Sequence, residues 1–141
     1  MSHWPTFYLT FISQWRSIGI QVLMTKYITV VETREFVNFA KQSLSEEEKK
    51  SLIDFLAENP KAGVLISGTG GLRKLRWARP HQGKSGSYRV IYYYHSENIP
   101  LFLISAFAKN VMENFSEAAK NEYAKLLKEL VRQYEGRNGK I

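Results

Sequence analysis

Two runs near the middle of the chain alternate with a period of two, and this restricts what the chain can become. In Leu72 to Ala78, alternation puts Lys74 and Arg76 on one face, with Arg73, Leu75 and Trp77 on the other. In Ser87 to Tyr94, Tyr88, Val90, Tyr92 and Tyr94 oppose Arg89, Ile91 and Tyr93. A polar loop, Arg79 to Gly86, separates them and carries His81 and Lys84. Glu97-Asn98 then turns the chain into Pro100 to Phe107, which is apolar on both faces and reads as a central strand. Three consecutive strands joined by loops predict an antiparallel meander.

The flanking segments supply helices. Lys26 to Glu32 is a β-branched run typical of a first strand. Thr33 can cap a short helix with Phe36, Val37 and Ala40 at helical spacing. Ser45 and Glu48 form a capping box for a second helix, whose stripe of Leu52, Ile53, Phe55 and Leu56 ends at Asn59-Pro60. Ser116 caps a last helix that Gly136 is expected to stop. The fold expected is α+β: a small twisted antiparallel sheet with an N-terminal helical hairpin and a C-terminal helix. One domain is expected over residues 24–136, with a polar tail at 137–141.

Residues Met1 to Leu23 are apolar and aromatic, but Gln14, Trp15, Arg16 and Ser17 break the run before the roughly 18 to 20 residues a membrane span needs. No basic region precedes the apolar part and no small-residue cleavage site follows, so a signal peptide fits poorly. Met24 opens MTKYITVVETREF, which reads as a natural start. The expectation is that Met1 to Leu23 is upstream sequence and that the protein is cytoplasmic, without a membrane partner.

The charge is concentrated. From Asn59 to Ser96 the chain has seven basic residues, Lys61, Arg73, Lys74, Arg76, Arg79, Lys84 and Arg89, and no acid; the remainder has 13 of each sign. A net +7 confined in this way is a directed field that concentrates polyanions or acidic proteins. The chain has no cysteine, so disulfides, thiolate metal sites and thiol nucleophiles are excluded. His3, His81 and His95 stand apart with no metal-ligand spacing. The basic window also lacks the carboxylates that a divalent-cation nuclease requires. Gly68-Thr69-Gly70-Gly71 lacks the Lys-Ser/Thr of a P-loop and precedes a strand, so it reads as a loop that lets backbone approach something closely. Ser67, Ser85 and Ser87 have no acid and histidine beside them that would make a triad.

What remains is a cation cluster: Lys74, Arg76 and Arg89, with Lys84 from the loop and Arg73 near by. Such groups neutralise phosphates, and arginines grip them bidentately. RNA adds its own nucleophile, the 2′-OH, so a protein need only position the strand, move protons and stabilise charge. A lysine among cations can act as general base, and His81 titrates in the right range to shuttle protons. Tyr88, Tyr92, Tyr93 and Tyr94 could stack on bases, although alternation sends at least two of them into the core. The residues leave three readings open: a metal-free ribonuclease, a non-catalytic RNA- or ribosome-binding module, and a basic face that docks an acidic protein.

The ordered set GTGGLRKLRWA, the basic loop, GSYRVIYYYHSEN, LFLISAFAKN and FSEAAKNEYAKLLKEL resembles the RelE/HigB-like toxins of bacterial type II toxin-antitoxin modules. The resemblance covers roughly Lys26 to Glu135 and is nearest to HigB-type toxins with an extended loop between the second and third strands. It implies a ribosome-dependent mRNA endonuclease that needs no cofactor or metal and uses the 2′-OH as nucleophile. Carried over by position, Lys74 and Arg76 resemble the strand cations acting as base and phosphate ligand. Arg89 resembles the arginine on the scissile phosphate, and Lys109 the basic residue after the last strand. Arg73 and Lys84 would support binding of rRNA or message.

Many members have arginine where this chain has Asn110, and tyrosine where it has Phe115, which can stack but cannot transfer a proton. Arg76, Lys84, His81 and Tyr93 are then the candidates for the acid. The partners implied are the ribosome with its mRNA and a cognate helix-turn-helix antitoxin. Operator DNA would be bound only through the complex of the two.

Overall fold

The computed structural model describes residues 27–78, 86–108 and 115–138. Met1 to Leu23, His81, Lys84 and Lys109 lie outside the described residues. The elements are β1 (Val30–Glu32), α1 (Arg34–Ser43), α2 (Glu46–Glu58), β2 (Val64–Leu65), β3 (Leu72–Trp77), β4 (Tyr88–Tyr93), β5 (Leu101–Ala108) and α3 (Glu117–Asn138).

Local chemistry starts each helix. The Thr33 hydroxyl accepts the Phe36 N–H at 3.3 Å and donates to the Ile104 carbonyl at 2.7 Å, so one side chain both caps α1 and ties it to β5. At α2, Ser45 Oγ accepts from the Glu48 N–H at 3.0 Å while Glu48 accepts from the Ser45 N–H at 3.2 Å, the reciprocal box expected from the sequence. Ser116 Oγ accepts from the Ala119 N–H at 3.1 Å. Caps of this kind each contribute about 0.5–2 kcal/mol. Gly136 does not stop α3, which continues to Asn138. The positive-φ glycines among the described residues are Gly68, Gly70 and Gly71, so Gly136 does not adopt the left-handed turn that would end a helix.

The sheet order is β1-β5-β4-β3-β2. The expected meander is present: β3, β4 and β5 pair antiparallel, and the two-residue β2 adds an antiparallel edge beside β3. β1 pairs parallel with β5, which makes the sheet mixed. A parallel neighbour needs a long crossover, here the helical hairpin together with β2 to β4. β1 is shorter than the sequence run because its register with β5 begins only at Val30 opposite Leu101. β5 is interior, flanked by β1 and β4, and β4 is the middle strand.

Both faces of the sheet are covered, so two cores form. On one face Phe36 and Ala40 of α1 and Leu52, Ile53, Leu56 and Ala57 of α2 meet Val90, Tyr92, Leu101 and Leu103. On the other, Leu127 of α3 meets Leu72, Ile91, Tyr93, Phe102 and Ile104. This is why neighbours Tyr92 and Tyr93, of opposite parity, are both buried. Fully burying each large apolar side chain contributes about 1.5–3 kcal/mol.

The glycine run has a packing role. Thr69 Oγ1 donates to the Ile66 carbonyl at 2.6 Å and accepts the Leu72 N–H at 3.1 Å, closing the turn into β3. Gly70, at φ +80°, lies so close to α3 that a Cβ there would be 3.1 Å from the Ala124 Cα. The close approach expected of these glycines is therefore to the protein itself: Gly68 and Gly70 to the last helix, Gly71 to the Tyr93 ring.

Candidate functional site

Strand register orders the side chains on the α3 face into rows. Leu72, Tyr93 and Phe102 stand opposite one another; Lys74, Ile91 and Ser105 form the next row; Arg76, Arg89 and Phe107 form the third. Leu127 and Tyr134 of α3 cover the first row, with the Tyr134 ring 5.5 Å from that of Phe102. The third row lies at the opposite end of the strands, where Arg76 is exposed and Arg89, like Lys74 in the row before, is half-buried. The hairpin therefore brings Lys74, Arg76 and Arg89 onto one face: alternation predicts the first two together, and the strand register adds Arg89.

Arg76 is directly opposite Arg89. Like charges in cross-strand register destabilise a sheet by roughly 0.2–1 kcal/mol. Among the described residues no carboxylate forms an ion pair with Lys74, Arg76 or Arg89. Arg76 Nε donates to Ser87 Oγ at 3.3 Å. Arg89 Nη1 is buried and has no hydrogen-bond partner among the described residues. A buried donor left unmet costs about 1–3 kcal/mol, and a donor on a cation is best satisfied by an anionic oxygen. A phosphate oxygen is an acceptor of this kind.

The other candidates are placed differently. Arg73 is on the α1–α2 face and donates from Nη1 to the carbonyls of Gly63 at 2.7 Å and Lys61 at 3.3 Å, tethering the segment between α2 and β2. Tyr93 shares a face with Arg89 but is four residues further along β4, roughly 13 Å at strand rise. It is 5% exposed, and its hydroxyl is 3.2 Å from His95 Nδ1. His95 Nε2 in turn is 3.8 Å from Glu135 of α3. Burial, and after it the Glu135 carboxylate, raises the Tyr93 pKa above its ordinary value. The structure places Tyr93 one row from Lys74 and two rows from Arg76 and Arg89, with its hydroxyl engaged by His95.

Phe115 packs in the α3-side core, edge-on to Tyr123 with ring centroids 5.5 Å apart. The remaining tyrosines serve the fold. Tyr92 Oη accepts the Gly63 N–H at 2.7 Å and donates to the Pro60 carbonyl at 2.9 Å, while Tyr88 donates to the Ser43 carbonyl at 3.4 Å.

Ser87 and Phe107 belong to this region without having been singled out as members of the cation cluster. Both positions follow from parity and register: Ser87 precedes Arg89 by two residues on one strand face, and Phe107 lies opposite Arg89. A cavity of about 560 Å³ lined by Ser96, Asn98, Ile99 and Glu135 opens elsewhere. Among the described residues its lining has a carboxylate and no cation, which does not suit a phosphate. Among the described residues no three His, Cys, Asp or Glu side chains gather as a metal site would require. No helix among them is long and apolar enough to cross a membrane.

A family model described as RelE toxin of the RelE / RelB toxin-antitoxin system matches residues 28–137. That span contains all three rows of the sheet face and the whole of α1, α2 and β1 to β5.

Proposed function

The chain belongs to the RelE toxin family, the toxin side of a toxin-antitoxin system, and on that premise we propose that it is a ribosome-dependent mRNA endonuclease acting without a metal ion. The observation that carries this reading is the Arg76–Arg89 pair, two arginines in direct cross-strand register, with the Nη1 of Arg89 buried and without a hydrogen-bond partner among the described residues. An anionic oxygen suits such a donor best, and the oxygens of a phosphate match two guanidinium forks.

In the proposed reaction the 2′-oxygen of the nucleotide attacks the adjacent phosphorus, and the bond from phosphorus to the 5′-oxygen breaks. The products are a 2′,3′-cyclic phosphate and a 5′-hydroxyl. Lys74 takes the 2′-OH proton, while Arg76 and Arg89 stabilise the phosphorane oxygens, where charge is greatest in the transition state. Lys109 adds positive charge after β5, and Lys84 and His81 contribute from the β3–β4 loop; one of these groups or Arg76 supplies the proton to the 5′-oxygen. Phe115 stands where a hydroxyl donor is common in the family, so the proton comes from elsewhere. The long β3–β4 connection supports a HigB-type assignment within the family.

The ribosome holds the message in place, which suits a protein whose described residues form an open cationic face. The proposed partner that silences it is a cognate antitoxin with a helix-turn-helix domain, covering this face and carrying the pair to operator DNA. Expression of the toxin alone is expected to arrest growth and to produce message ends within translated codons. Arg89→Ala should abolish both. Intact messages and normal growth with wild-type protein would refute the proposal.

A further inference from the structure

We infer that Ser87 is a positioning residue: its buried hydroxyl holds the Nε edge of Arg76, so that the guanidinium presents its two terminal nitrogens to a phosphate of RNA. This rests on the ribonuclease reading above and names how its phosphate ligand is oriented.

Arg76 is exposed, and a long exposed cation ordinarily samples many rotamers. It also faces a second guanidinium across the strand pair, which by itself would push it outward into solvent. Ser87 counters this. It is 2% exposed, just before the first residue of β4, and therefore rigid compared with the side chain it touches. Because Arg76 pairs with Arg89, Ser87 is the diagonal neighbour of Arg76 on the same face, near enough for side chains to meet. The 3.3 Å contact from Nε to Oγ is the result.

The choice of nitrogen matters. A guanidinium has five N–H donors, and the end-on pair takes one from each terminal nitrogen, so the Nε–H has no part in it. With Nε–H occupied by Ser87, the four N–H groups on Nη1 and Nη2 remain for oxygens in the guanidinium plane. Arg89, whose own Nη1 has no partner among the described residues, stands opposite. A phosphate placed there meets two forks without waiting for Arg76 to be ordered, and the entropic cost of ordering that side chain has already been met on folding. Lysine at position 76 would retain the charge and lose the second point of attachment, so the arrangement specifically requires arginine.

The test is a double-mutant cycle with Ser87→Ala, Arg76→Ala and both together, read by mRNA cleavage on translating ribosomes and by affinity for a short RNA at several salt concentrations. Losing a hydrogen bond to a charged group should reduce kcat on the order of tenfold, with KM changed less than twofold, because the phosphate charge is greatest in the transition state. In the Arg76→Ala background, Ser87→Ala should have no further effect. The cycle compares differences, so a uniform loss of folded protein cancels.

A tenfold loss that persists without Arg76 would overturn the inference, as would a Ser87→Ala variant equal to wild type. If wild-type protein cuts no message, the ribonuclease reading fails. RNA affinity then decides the tether alone: coupling between the two substitutions supports it, and additivity rejects it.

Discussion

If the Arg76–Arg89 row is built to await a phosphate, the empty protein bears a cost that a substitution can remove. Arg89→Met keeps an unbranched apolar stem against its neighbours and deletes the cation. Two unfavourable contributions disappear: a buried Nη1 without a partner, about 1–3 kcal/mol, and the like-charge register with Arg76, about 0.2–1 kcal/mol. Solvation of the half-exposed guanidinium offsets part of this, leaving an expected gain of about 1–2 kcal/mol. For a domain of this size that raises the melting temperature by roughly 4–8 °C.

Urea unfolding of the two proteins should show a higher midpoint for Arg89→Met with an unchanged slope, since the surface exposed on unfolding is the same. Added RNA should raise the wild-type midpoint and leave the variant's nearly unmoved, because only a native state that binds is stabilised. A variant equal to or less stable than wild type would refute the reasoning, since Arg89 would then be satisfied in the free protein and the row would not be poised for an anion.

Three further outcomes follow from particular contacts. Gly70→Ala forces a Cβ against the Ala124 Cα at 3.1 Å and a side chain into φ +80°; about 1–2 kcal/mol of stability should be lost, and an unchanged urea midpoint would show that α3 does not rest on this turn. Arg73→Ala removes donors to the Gly63 and Lys61 carbonyls and should cost about 1 kcal/mol of stability while changing the salt slope of RNA binding less than Lys74→Ala, which should reduce that slope by about one unit. Burial raises the pKa of Tyr92 and Tyr93 above the ordinary 10.0. Stability linked to these groups is therefore complete below the unfolded value and is lost as pH climbs through the folded values; the tyrosinate absorbance that disappears on Tyr92→Phe or Tyr93→Phe should emerge only with unfolding, and its emergence near the ordinary value in an intact fold would contradict this.

Local signals were readable wherever the structure satisfies them locally. The Ser45–Glu48 box and the Thr33 and Ser116 caps need only residues three apart, and all three form. Alternation in β3 and β4 separated Arg73 from Lys74 and Arg76 because a hairpin preserves parity across its strands. Parallel pairing of β1 with β5 was not legible: its partners are about seventy residues apart and leave no mark on either segment. Tyr93 illustrates another limit. Its parity agrees with Arg89, but parity says nothing about distance along the strand or about α3 closing over that end. Arg73 shows the converse, since a basic residue within a basic window here bonds the protein's own carbonyls. Gly136 carried a stop signal that α3 does not use.

The central claim is that Lys74, Arg76 and Arg89 cleave RNA through its own 2′-OH, and the ends of the cut message test it most directly. Translating ribosomes programmed with a defined message should yield, with wild-type protein, a 2′,3′-cyclic phosphate (or the 3′-phosphate it opens to) and a 5′-hydroxyl. Arg89→Ala and Lys74→Ala/Arg76→Ala should leave the message whole while still binding the ribosome. Fragments carrying a 5′-phosphate and a 3′-hydroxyl would mean that water attacked the phosphorus, and would contradict the account.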